Sequence, residues 1–294
     1  MDRKTISGCL IAAALLLVSC APSNPIIVGS KNFTEQVVLG EIIAQHLEHR
    51  LKDPIRRSLD LSGTLLAHQA LLSGRIDVYP EYTGTAFTNV LKHQALSDPA
   101  IVLERVRNEY SMLQLDWLDP LGFNNSFAMA VRGSDARARH LETLSQAAAD
   151  PQGFVLGAGY EFQQRPDGFG ALGGGYNIKW ISAPKIMDLG LLYPALEQKK
   201  VSMIAGSVTD GMLSKLDIKV LKDDKAVFPP YQASVVVRTA SESAHPGLKR
   251  ALQELSGKIS SEEMQKMNYA VDAEHKQPSQ VAAEFLKGKG LQDP

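Results

Sequence analysis

Few side chains in this sequence have the types and spacing that catalysis or metal binding needs. His46 and His49 stand three apart in a helical run, but no further histidine or carboxylate follows at zinc spacing. Their neighbours Glu48 and Arg50 predict a solvated helix face. Asp77 and Glu81 could form a carboxylate pair, yet Tyr79-Pro80 between them predicts a turn that points the two side chains apart. No G-x-S-x-G elbow, no P-loop and no catalytic cysteine is present. The glycine-rich stretch Gly168 to Gly175 follows no clear strand, so it reads as a flexible loop, or a short helix over Gly170 to Gly174, and not as a phosphate cradle. These absences point to a binder without cofactor or metal, not to an enzyme.

Two segments carry more specific chemistry. Gly29-Ser30-Lys31-Asn32-Phe33-Thr34-Glu35-Gln36 joins a strand end to a helix start, where backbone N–H groups and a lysine favour an anion. Asp77-Val78-Tyr79-Pro80-Glu81-Tyr82-Thr83-Gly84-Thr85 brings an aromatic ring and hydroxyls out of a strand that the proline is expected to stop.

The elements around them alternate short apolar runs with longer helical ones. Ile26 to Val28 predicts a buried strand, and the spacing of Val37, Val38, Leu39, Ile42, Ile43 and Leu47 predicts a helix with Thr34 as N-cap. Further strands are expected at Phe127 to Arg132, Phe154 to Gly157, Val201 to Ala205 and Ser234 to Arg238. Helices are expected at Leu65 to Leu72, Val102 to Leu113, Thr143 to Ala149 and Ile186 to Gln198, and in the tail from Leu248 onward. Such alternation predicts an α/β fold with largely parallel sheets. The two Val-Arg strands each follow a proline-containing loop, Asp119-Pro120 and Pro229-Pro230, and read as hinge segments.

The 294 residues carry a formal net charge of -1, which gives no electrostatic case for a nucleic-acid partner. At the N-terminus Arg3 and Lys4 precede an apolar run from Ile6 to Val18, and Leu17-Val18-Ser19-Cys20 resembles a bacterial lipobox. Residues 1–19 are therefore expected to be a lipoprotein signal peptide, Cys20 the lipidated residue and residues 20–25 a tether. The two cysteines, Cys9 and Cys20, both fall here, so no disulfide framework is expected.

In this order, the opening segment and the Tyr82-Thr83-Gly84-Thr85 segment resemble the substrate-binding proteins of glycine betaine/choline/carnitine ABC importers. The resemblance continues through Pro120 to Arg132, Tyr160 to Arg165, Val208 to Gly211 and Pro229 to Arg238, and covers the chain from Ile26 to near Lys287. It implies a type II periplasmic-binding-protein-like α/β fold, with two lobes, two crossover segments and a ligand cleft between them. Lobe 1 would be residues 26–128 plus 232–294, and lobe 2 residues 129–231.

Carried onto this sequence, the resemblance implies that Tyr82 and Tyr231 face a quaternary ammonium group and that Thr85 hydrogen-bonds the ligand's other end. Lys31 would favour a ligand carboxylate, and Arg165, four residues after Glu161, would clamp it from the second lobe. Asn125, Phe127, Glu161 and Ser207 complete the implied site. Two of these depart from the family's pattern, which commonly has tyrosine at the Phe127 position and an aromatic where Ser207 stands. Tyr193, Phe162 or Phe169 would then have to replace a wall, and a bulkier betaine such as carnitine or ergothioneine could use the vacated volume. Choline is less favoured, because without a carboxylate it would leave Arg165 unpaired.

The implied partners are a small betaine-type ligand, an ABC permease with its ATPase, and a membrane through the lipid anchor. A monomer in the periplasm or on the cell surface is expected. A ligand-free lipoprotein adaptor or sensor on the same fold stays open as an alternative, as does an enzyme on the same architecture.

Overall fold

The computed structural model describes residues 24–292. The expected signal peptide, Cys20 and most of the tether lie outside the described residues. Among the described residues no helix is long and apolar enough to cross a membrane.

Among the described residues ten strands run in chain order: β1 Ile26–Gly29, β2 Ile55–Ser58, β3 Val78–Tyr82, β4 Leu115–Trp117, β5 Phe127–Arg132, β6 Leu156–Ala158, β7 Lys185–Ile186, β8 Met203–Ser207, β9 Ile218–Val220 and β10 Ala233–Arg238. They form two five-stranded sheets with the orders β2-β1-β3-β10-β4 and β7-β6-β8-β5-β9. In each sheet three strands are parallel, and the strand beside them, β10 or β5, is antiparallel to both its neighbours. The two orders are the same pattern built twice. Each Val-Arg strand belongs wholly to one sheet. The chain passes between sheets just before them, through the segments ending at Ser126 and Gln232. Those segments lie side by side, bridged at Asn124 and Gln232, and the Asn125 N–H donates to the Tyr231 carbonyl at 2.9 Å.

The long helix Thr34–Arg50 buries Val38, Leu39, Ile42, Ile43 and Leu47 against the first sheet and the tail helices. Its cap differs from expectation. Phe33 is the N-cap, and the Thr34 hydroxyl donates to Asp272 at 2.5 Å instead of closing the helix. His46 is fully buried, its Nε2 2.9 Å from the Ala251 carbonyl, because the tail folds back over the face that looked solvated in sequence.

Pro80 does not stop its strand, and no turn separates Asp77 from Glu81. β3 runs through the proline to Tyr82. The residue opposite is Val235, whose carbonyl accepts from the Leu118 N–H on its other side, so no ladder bond needs the N–H that proline lacks. The glycine stretch is helical over Phe169–Tyr176, with Leu172 and Tyr176 buried on one face and Asn177 ending it in the left-handed region at φ 51. The expected helix Ile186 to Gln198 begins instead as β7 and a short 3₁₀ turn, and only Leu192–Glu197 is α-helical. Ile186 is drawn into the second sheet by its pairing with Ala158.

Candidate binding site

The expected site residues gather where the two sheets face each other across the crossing segments. Arg165 stands just after the short helix Tyr160–Gln164, which β6 launches. Its guanidinium gives two bonds to Asp167, from Nε at 2.9 Å and Nη2 at 2.6 Å, and Nη2 also reaches the Thr85 hydroxyl at 3.0 Å. Asp167 is 2% exposed and accepts the Tyr231 hydroxyl at 2.7 Å as well. Burial works to raise the Asp167 pKa, but the bonds and charge of Arg165 and the Tyr231 hydroxyl outweigh it and hold the carboxyl below its ordinary value. Arg165 therefore carries a counter-ion of its own. The expectation that a ligand without a carboxylate would leave this charge unpaired is corrected, and with it the argument against choline.

The guanidinium also lies 5.2 Å from the Phe127 ring centroid and 5.7 Å from that of Tyr231. Phe127 is the hub of an aromatic cluster, edge-on to Phe162 at 4.9 Å, Phe228 at 5.3 Å and Tyr231 at 5.5 Å. Of the three candidate replacement walls, Phe162 joins this cluster. Tyr193 turns its hydroxyl to Asp210 at 2.5 Å, and Phe169 packs on Trp180 instead.

A second centre forms around Glu35, in the first turn of the Thr34–Arg50 helix. Its carboxylate is 3% exposed and accepts from the Tyr82 hydroxyl at 2.6 Å, Asn125 Nδ2 at 2.7 Å, the Thr209 hydroxyl at 2.5 Å and Asn268 Nδ2 at 3.2 Å. Burial raises its pKa, and the four hydrogen bonds work against that shift. Ser207 belongs to the same network, through Asn125 Oδ1 and through Thr209 Oγ1 at 2.8 Å. This carboxylate takes the role at the helix start that the sequence suggested for an external anion.

Lys31, expected to favour the ligand's anionic end, is 2% exposed and paired with the fully buried Glu81 at 2.5 Å. Its Nζ lies 5.1 Å from the Tyr82 ring centroid. Glu161 reaches from the second sheet's helix to the start of the Thr64–Leu72 helix, accepting from the Thr64 N–H at 2.7 Å and hydroxyl at 3.3 Å. A side chain at Gly63 would collide with that carboxylate.

The structure thus brings together Tyr82, Asn125 and Ser207 around Glu35, and Thr85, Phe127, Glu161 and Tyr231 around Arg165 and its partner Asp167. Glu35, Asp167, Thr209, Phe228 and Asn268 were missed. The first three stand inside or beside the motifs already singled out, so their carboxylates and hydroxyl were there to be found. Nothing in the sequence ties Asn268 to a residue 233 positions away.

A family model described as the substrate binding domain of ABC-type glycine betaine transport systems matches residues 24–288. The chain belongs to this family. Over 288 residues it is 38% identical to the ergothioneine transport permease/ergothioneine binding protein of Helicobacter pylori, covering 96% of this chain and 51% of that protein. It therefore spans about half the length of that relative. Over 302 residues it is 33% identical to the carnitine transport binding protein of Listeria monocytogenes, covering 98% of this chain and 97% of the other. The crystal structure of a glycine betaine/carnitine/choline ABC transporter superposes with a TM-score of 0.77 at 32% identity, over 91% of this chain and all of that one. Together with the two sheets, this establishes the two-lobed type II periplasmic-binding-protein fold for this member of the family.

Proposed function

We propose that the chain captures a betaine-type quaternary ammonium compound between its lobes and presents it to an ABC permease with its ATPase. Residues 26–126 and 232–294 would form one lobe and residues 127–231 the other, since β5 belongs wholly to the second sheet, and the lobes would turn about the paired crossing segments. The mature protein would be a monomer held at the membrane by lipid on Cys20.

The observation that carries the reading is the guanidinium of Arg165 resting against Phe127 and Tyr231 while bonded across the junction to Thr85. Rings that hold a cation on their faces turn their negative quadrupole toward the junction, and a trimethylammonium group is recognised in just that way. The reading puts the ligand's ammonium against Tyr82, Phe127 and Tyr231, with its polar end toward Arg165 and Thr85. Ligand contacts from both lobes favour the closed arrangement, and closure is a signal a permease can read.

A second reading within the class is ergothioneine, itself a trimethylated betaine. It is supported by the Helicobacter relative and by the small Ser207 where an aromatic is usual. Calorimetric titration of residues 24–294 with glycine betaine, carnitine, choline and ergothioneine tests both. Saturable binding of one of them, weakened at least about tenfold by Tyr231→Ala and Arg165→Ala, is expected. A folded, ligand-free protein that binds none would favour the adaptor role.

A further inference from the structure

The charged groups at the junction are not equally satisfied. Lys31 is matched by Glu81, and Arg165 by Asp167 through two bonds. The two oxygens of Glu35 share four neutral donors. Glu161 differs from these. Its oxygens accept one bond each, both from Thr64, and Arg165 Nη1 lies 3.6 Å from Oε2. The side chain is 41% exposed, while those of Lys31, Glu81 and Asp167 are at most 2% exposed.

A carboxylate oxygen can accept about two hydrogen bonds, so each oxygen of Glu161 keeps accepting capacity. Burial works to raise its pKa, but the charge of Lys31, the Thr64 N–H and the charge of Arg165 outweigh this and hold it below its ordinary value. Glu161 is therefore an ionised acceptor beside Arg165, where the polar end of a bound ligand would come. A ligand ending in a bare carboxylate brings like charge against it. A ligand with an N–H or O–H donor gives it a charge-assisted hydrogen bond.

We propose that Glu161 is the specificity-determining acceptor of this site, selecting quaternary ammonium compounds that carry an N–H or O–H donor over betaines that carry none. This rests on the quaternary-ammonium reading and narrows it. Glycine betaine has no donor; carnitine and choline carry a hydroxyl, and ergothioneine a ring N–H.

The test is the ratio of dissociation constants, glycine betaine over the best donor-bearing ligand, measured by calorimetry for the wild type, Glu161→Ala, Glu161→Gln and Thr64→Ala. The wild-type ratio is expected to be about ten or more, the gain from one hydrogen bond to a charged group. In Glu161→Ala it falls toward one. In Thr64→Ala it persists, because that variant loosens the contact with the first lobe and keeps the acceptor. Glu161→Gln, which retains a weaker neutral acceptor, gives an intermediate ratio and keeps the test decisive if the alanine variant does not fold. A wild-type ratio near or below one, or a ratio that survives Glu161→Ala, overturns the proposal while the quaternary-ammonium reading stands. Binding of none of the four ligands by folded wild type sinks both.

Discussion

A guanidinium as buried as that of Arg165 keeps its charge because Asp167 accepts two of its N–H bonds, and the same carboxylate takes the Tyr231 hydroxyl. One side chain thereby orients two groups of the candidate site. Asp167→Asn leaves the guanidinium without its counter-charge, and a loss of about 3–5 kcal/mol in unfolding free energy is expected from denaturant titration. The pH dependence has a definite sign. The folded pKa of Asp167 is depressed, so its stabilisation is complete above the ordinary carboxyl value of 3.8 and is lost as pH falls through the folded value. Glu35 acts oppositely: its folded pKa is raised, so it opposes folding as pH climbs from the ordinary 4.5 through its folded value. Unfolding measured from pH 3 to 6 should show an acid-side loss in the wild type that is clearly smaller in Asp167→Asn.

At the scale of elements, the short helical turn after β3 sits hard against the second crossing segment. A Cβ at Gly84 would come within 2.6 Å of the Pro230 carbonyl and 2.9 Å of the Tyr231 ring. Gly84→Ala is expected to cost about 1–3 kcal/mol of stability, read from a denaturant midpoint, and to weaken ligand binding by displacing that ring. The strand end and helix start at Gly29 to Gln36 were legible because their signals are local: a β-branched run, then apolar residues at helical spacing. Pro80 was misread because a proline is tolerated or not according to which neighbour would have needed its N–H, and Val235 lies 155 positions further along the chain. The Phe169–Tyr176 helix was legible only as a short alternative over Gly170 to Gly174, because burial of Leu172 and Tyr176 overrides the poor helix propensity of four glycines. His46 and Asn268 were opaque for the same reason as Pro80, since the tail that covers them returns from the far end of the sequence.

At the scale of the whole molecule, beside the neutral bonds of Gln265 and Asn268 to the Val208 and Thr209 carbonyls, three further contacts tie the second sheet's segments to the first: Thr209 to Glu35, Glu161 to Thr64 and Arg165 to Thr85. Each involves a charged partner, and bonds of that kind contribute roughly 1.5–3 kcal/mol. Thr209→Ala with Thr85→Ala should therefore shift the balance between closed and open arrangements by more than about a hundredfold toward open. Small-angle scattering of the ligand-free double variant is expected to give a larger radius of gyration than the wild type; equal radii would count against these contacts holding the lobes together.

Were the lobes to turn about the two crossing segments as proposed, the pairing of those segments would also set an order in time. Asn125 and Tyr231 lie on those segments and are bonded to each other through their backbones. Points on an axle hardly travel when the parts it joins swing apart, whereas Glu161 and Arg165, carried by the second sheet's segments, would move with their lobe. A solute arriving at an open protein would meet Asn125 and Tyr231 already in their final places, and the outlying groups would arrive afterwards. Substitutions at the axle should then slow capture, and substitutions at the outlying contacts should hasten escape.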